Sequence, residues 1–266
     1  MPTEPSQKKE PEATRHSIER PVQHPIRIVP LHRPEAPGRA AGAAPNLTYR
    51  NGPLLTAVQV FTVFWGAAWQ QSPSSDVMAK INQFFDYILT SQLIDQMREY
   101  NVLGKTIGHG SRIGTAVVTS PDPGTSVQDS AIQKLIQSEI SAGTLPGTNS
   151  NSLYFVFLPQ GVQVVQGNTA SCQSFCGYHD SFGKNVYYAV MPYPGCAGCT
   201  GGLAAFDALT STTSHELCES ITDPVPGQGW YDDNNGEIGD ICAWKTRTLG
   251  AYTVQLEWSN KAGACM

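Results

Sequence analysis

His215, Glu216 and Glu219 stand within TTSHELCESITDP (212–224), where a histidine is followed directly by one acid and, one helical turn later, by another. Side chains four residues apart on a helix lie one above the other, roughly 6 Å apart, so His215 and Glu219 can close on a single ion. Glu216 would project beside that ion, where the general base of an H-E-x-x-H zinc hydrolase stands. Imidazole nitrogen and carboxylate oxygen both bind zinc, and an open coordination position leaves a water whose pKa falls to about 7. The chemistry implied is water attack on a carbonyl, with Zn2+ as cofactor and a peptide or protein as substrate.

A third ligand must come from elsewhere in the chain. Asp223 is eight residues beyond His215, about 12 Å further along a continuous helix, and Pro224 marks the helix end. The turn-rich DDNNGEIGD (232–240) can fold back toward the helix and carries Asp240, the preferred ligand, and Glu237, the second choice. His109 in GHGSR and His179 in CGYHD are further candidates, as ligands or as polarisers of a developing oxyanion; Tyr231 could serve the latter role. A competing reading takes Asp232, Asn234 and Gly236 as a calcium loop, but the terminal glutamate is out of place and a solvated turn is the simpler account.

Positioning these groups requires a globular scaffold, and the 266 residues suffice for one domain. Residues 1–45 hold nine of the 19 prolines and no aromatic side chain, so they are expected to be a disordered tail or pro-segment, with a single domain over 46–266. LLTAVQVFTVFWG reads as a buried strand, followed by a long helix over 74–98 whose residues Val77, Ile81, Phe84, Phe85, Ile88 and Leu89 form one stripe. Strands are expected at 114–120, 152–159 and 185–192, and helices at 129–140 and about 203–222. VYYAVM within 185–192 is taken as an edge strand beside the cleft. AYTVQLEWS alternates strictly and reads as a strand with one wet face, formed by Thr253, Gln255 and Glu257. Strands alternating with helices give an α/β fold with a mixed, twisted sheet.

Net charge −5, a pI near 5.6 and the lack of any Lys/Arg run exclude polyphosphate attraction, so no nucleic-acid partner is expected. The apolar run Val58–Trp69 is interrupted by Gln59, Thr62 and Gly66 and is shorter than the ~20 residues of a membrane helix; no membrane role is expected. Seven cysteines fall between 172 and 265. The close pairs Cys172/Cys176 and Cys196/Cys199 admit a four-thiolate zinc site or disulfides, the preferred reading, with Cys242–Cys265 closing the C-terminal strand and Cys218 left as a small buried side chain. That usage favours secretion, although MPTEPSQKKEPEATRHSIERP lacks the apolar stretch of a signal peptide.

YRNGPLLTAVQVFTVFWG, FCGYH, GCAGC, SITDPVPGQGWYD and the terminal AGAC together resemble motifs of the plant EXORDIUM, or phosphate-induced protein, family, over roughly 48–265. Plant members are regarded as secreted, cell-wall-associated growth regulators and lack His-Glu at the position of His215–Glu216. The resemblance therefore implies secretion and a zincin-like scaffold on which this chain keeps a full metal motif. The expectation is a zinc metallopeptidase in which His215, Glu219 and Asp240 hold the metal, Glu216 is the base, and Tyr231 or His179 steadies the oxyanion. The alternatives are an extracellular binding or signalling protein with a structural metal or none, and a polysaccharide hydrolase using Glu216 and Asp240 as its carboxyl pair.

Overall fold

The computed structural model describes residues 28–32 and 44–266; within the expected disordered tail Ile28–Pro30 form a strand of the central sheet, so the domain takes in residues before 46, and the rest of that tail lies outside the described residues. Elements run β1 (Ile28–Pro30), β2 (Thr48–Tyr49), β3 (Gln59–Trp65), α1 (Ser74–Ile88), α2 (Gln92–Met97), β4 (Ser111–Val118), β5 (Ser126–Gln128) and α3 (Asp129–Ala142). They continue with β6 (Ser152–Phe157), β7 (Gln163–Gln166), β8 (Thr169–Ala170), β9 (Phe175–Phe182), β10 (Val186–Met191), α4 (Ala197–Thr200) and α5 (Ala205–Thr222). Beyond α5 come β11 (Trp230–Tyr231), β12 (Thr246–Leu249), β13 (Tyr252–Gln255), β14 (Trp258–Ser259) and β15 (Ala264–Cys265).

A six-stranded mixed sheet of order β1-β9-β10-β6-β3-β4 forms the centre. β4, β3, β6 and β10 are mutually parallel, whereas β9 runs antiparallel to both β10 and β1. Its inner strands are apolar without alternation because both faces are covered. Leu153, Phe155 and Phe157 of β6 join one core with α1, α2 and α5, while Tyr154 and Val156 face a second core built on α3. Ile81, Phe84, Phe85 and Ile88 of α1 are each at most 1% exposed, and such side chains contribute about 2 kcal/mol apiece by leaving water.

Three expectations are corrected. The helix predicted over 74–98 is broken: α1 ends at Ile88 and Ser91 starts α2, its Oγ donating to Ile88 O (2.8 Å) and accepting from Leu93 N (3.2 Å). A short hydroxyl that bonds backbone on both sides favours a cap over a continued helix. VYYAVM is not an edge strand, since β10 lies between β9 and β6. The strand expected over 251–259 is split into β13 and β14, and its wet face is mostly covered: Thr253 is partly buried, Gln255 is 2% and Glu257 0% exposed. β13 packs against α5, and the small residues of TSTTS (210–214) allow the approach: Thr210 Oγ1 donates to Thr253 O (2.8 Å) and Ser214 Oγ accepts from Gln255 N (2.9 Å).

Three disulfides join Cys172–Cys196, Cys176–Cys199 and Cys242–Cys265, with Cys218 free and buried. The first two run across the close pairs, tying β9 and the turn before it to α4. Among the described residues no helix is long and apolar enough to cross a membrane.

A loop of 23 residues closed by Cys242–Cys265 removes about 3–4 kcal/mol of unfolded-state entropy. The double substitution Cys242→Ala/Cys265→Ala is expected to lower the Tm by on the order of 10 °C in a circular-dichroism melt. An unchanged Tm would show that this bridge does not secure the C-terminal strands.

Candidate metal centre

α5 lies against β9 and β10 on one side and β13 on the other, so every residue from Ala208 to Thr222 is buried. A helix enclosed all round is ordinarily apolar; this one carries His215, Glu216 and Glu219. Its end is set by Asp223, which precedes Pro224. The Asp223 carboxylate turns away from the helix and accepts the N–H groups of Gly227 (2.6 Å), Gln228 (3.0 Å) and Gly229 (2.5 Å). Asp223 thus belongs to the helix end, as its spacing implied.

His215 and Glu219 meet one turn apart, Nε2 to Oε1 at 2.9 Å, and the same oxygen accepts the backbone N–H of Asp240 at 3.1 Å. His215, Glu219 and Asp240 each present a donor atom within 4.8 Å of the others, so the three ligands expected from sequence are brought together. The segment returns to the helix because Gly239 has no side chain: a Cβ there would lie 2.8 Å from His215 Cγ and Nδ1. Glu237 and Asp240 form a tight turn, with Glu237 N donating to Asp240 Oδ2 at 3.0 Å. Asp232 upstream accepts from the backbone of Asn46, Asn234 and Asn235, which makes DDNNG a turn rather than a calcium loop.

A second group, His179, Glu216 and Glu219, shares Glu219 with the first. His179 of β9 contacts Glu216 Oε2 through Nδ1 (3.0 Å) and the Asp223 carbonyl through Nε2 (3.1 Å). A carbonyl only accepts, so Nε2 carries hydrogen, and the Nδ1–Glu216 contact then requires one proton shared between imidazole and carboxyl. Glu219 Oε2 and Glu237 Oε1 each lie 3.5 Å from the same ring. Both His179 nitrogens are thereby engaged, whereas neither His215 nitrogen has a well-aligned hydrogen bond. The difference makes His215 the better ligand and His179 an orienting group.

Exposure is 1% for His179 and 0% for His215, Glu216, Glu219, Asp223, Glu237 and Glu257. Burial drives the carboxyls of Glu237 and Glu257 well above the ordinary range and also raises Glu216 against its His179 bond. Burial opposes ionisation of Glu219 too, but His215 and His179 outweigh it and hold that carboxyl low. For both histidines burial disfavours the cation, yet the surrounding glutamates prevail and raise the pKa well above the imidazole value. Glu216 Oε1, Glu219 Oε2 and both oxygens of Glu237 and Glu257 have no hydrogen-bond partner. Orphaned buried oxygens beside imidazole nitrogen are the donor set of a divalent cation, and the residues fit one.

Two candidates remain. His109 pairs with Asp95 (3.0 Å) at 42% side-chain exposure, on the surface rather than at this cluster. Tyr231 sits on β11 with its ring under the Arg50 guanidinium, 4.5 Å away. Glu257 was missed from sequence, where alternation assigned it to the wet face; no local signal shows that this side is covered by α5.

Gly239→Ala would press a methyl group into the His215 ring, and affinity for zinc is expected to fall at least about tenfold, read by calorimetric titration. Parent-like affinity would show that the ring is not held by this contact.

In comparison with known proteins, the sequence matches no protein-family model and no curated protein.

Proposed function

We propose that the chain is a secreted, zincin-like, zinc-dependent peptidase in which His215, Glu219 and Asp240 hold the metal and Glu216 moves the proton. The observation carrying this reading is the convergence of those three donors beside a glutamate that keeps one oxygen, Oε1, without a partner. Zinc so held would polarise a peptide carbonyl and acidify a water. Glu216 is fixed by His179 at Oε2, which aims Oε1 and gives the carboxyl a neighbour with which to exchange a proton. In this reading His179 orients the base instead of steadying an oxyanion, and Tyr231 is the candidate for the latter role. Zinc is favoured over calcium because the set mixes imidazole with carboxylate. The three disulfides favour an oxidising compartment, consistent with secretion.

A second reading is supported by the burial itself. A structural ion is closed by protein groups, whereas a catalytic one keeps a solvent position, and of the three preferred ligands only Asp240 is partly exposed. An EXORDIUM-like extracellular binding protein with a structural metal would have this enclosure.

Turnover of fluorogenic peptides separates the two. In Glu216→Gln, turnover is expected to fall at least about 10³-fold, with zinc content unchanged. Equal turnover in parent and variant would remove Glu216 from the chemistry; a zinc-loaded parent with no turnover would favour the structural ion.

A further inference from the structure

The N-terminal segment, whose composition suggests nothing but a solvated tail, supplies the last strand of the central sheet. Ile28, Val29 and Pro30 pair antiparallel with Tyr178, Gly177 and Phe175, and β9 is the strand that carries His179. Val29 is 2% exposed and packs with Cys176 and Cys199. The segment is pinned beyond the strand as well. Trp244 Nε1 donates to Pro30 O (2.9 Å), His32 N donates to Gly198 O (2.7 Å), and the His32 ring meets Trp244 edge-on at 5.3 Å.

The register brings this strand to the cluster. Val29 pairs with Gly177, and a Cβ at Gly177 would lie 3.4 Å from Glu216 Oε1, the oxygen that lacks a partner, and 2.8 Å from Thr212 Cγ2. The bare Cα of Gly177 is thus the only part of β9 at that register position, and the backbone at Val29 runs one strand spacing, about 4.8 Å, beyond it. β1 also packs against α5. Pairing to β9 uses main-chain groups alone, so any extended chain with a small or branched apolar side chain at the Val29 position would satisfy the same edge. Pro30 suits the end of such a strand, where no further N–H is needed.

Resting on the peptidase reading above, we infer that the outer edge of β9 is the substrate-binding edge for an extended peptide, and that Ile28–Pro30 occupy it as a substrate-like competitor built into the chain. The substrate class is an unfolded or loop segment with an apolar residue opposite Gly177.

A fluorescent peptide copying residues 26–32, IRIVPLH, tests this by anisotropy against the full chain and its Val29→Asp variant, which places a charge where Val29 is buried. The variant is expected to bind the peptide at least about tenfold more tightly than the parent, and a peptide with Asp in place of its valine is expected to bind neither. Equal affinity for parent and variant, or no binding to a variant that melts like the parent, overturns the inference. Hydrogen exchange on the parent needs no substitution. The amides of Ile28 and Val29 are expected to exchange at least about tenfold faster than those of β10, as a strand that must leave does; exchange at the β10 rate overturns the inference. Both readouts are independent of turnover. A peptide captured at β9 but never cut leaves the edge assignment standing and removes the hydrolase reading, whereas turnover without this capture does the reverse.

Discussion

Charge held out of water without enough counter-charge governs the centre of this molecule. Five carboxyl groups, on Glu216, Glu219, Asp223, Glu237 and Glu257, share a volume from which solvent is excluded with two imidazoles. Even after relaxation, burying one carboxylate costs several kcal/mol, and two histidines with the Arg247 guanidinium near Glu257 offset at most three of five. Asp223 is satisfied locally by three backbone N–H groups. The others are left with oxygens that no donor reaches. Two states relieve this: protonation, toward which burial pushes Glu216, Glu237 and Glu257, or a bound cation, which allows the carboxyls to ionise. Cation binding and the stability of α5 are then one equilibrium, because the ligand set exists only where the helix is enclosed.

The scaffold is arranged around that enclosure. β9 supplies His179 from below the helix, β13 closes over it through Thr253 and Gln255, and the return of Glu237–Asp240 is held by Gln255 Nε2 on Gly239 O at 2.9 Å. Small residues on α5 admit the strand, and a glycine at 239 admits the ring. Disulfides stand behind each wall: Cys172–Cys196 and Cys176–Cys199 at the β9 side, Cys242–Cys265 at the hairpin side. A cluster that costs free energy to bury is thereby fixed by backbone contacts and covalent bonds, not by its own pairing.

Much of this was legible in the residues. The i, i+4 spacing of His215 and Glu219 and the turn-forming run before Asp240 were enough to bring three candidate ligands together, since both follow from local geometry. Strand and helix positions were legible wherever apolar period and length agreed, as for α3, β6, β10 and α5. The misses share a cause: period reports how many faces an element has, not what covers them. Alternation in 251–259 gave two faces and no sign that α5 lies on the polar one, so Glu257 went unnoticed. In 74–98 the apolar stripe ends at Leu89, and Leu93, Ile94 and Met97 follow it with a shifted phase; the continuing supply of apolar residues hides the break that Ser91 makes through hydrogen bonds. β1 is three residues in a proline-rich stretch, stabilised by pairing with residues nearly 150 positions away, and no local signal announces it. His179 was found but its bonds to Glu216 and the Asp223 carbonyl were not, because they are set by the register of β9 on α5.

The account depends on a cation completing the cluster, and metal content measured together with stability tests that most directly. Protein purified without chelator is expected to hold about one first-row divalent ion per chain by elemental analysis. Stripping the ion is expected to lower the Tm by roughly 8–16 °C, the equivalent of about 4 kcal/mol for a ligand present at a thousand times its Kd; restoring zinc should recover it. A chain that holds no stoichiometric metal, and melts at the same temperature with zinc or with chelator, would contradict the account.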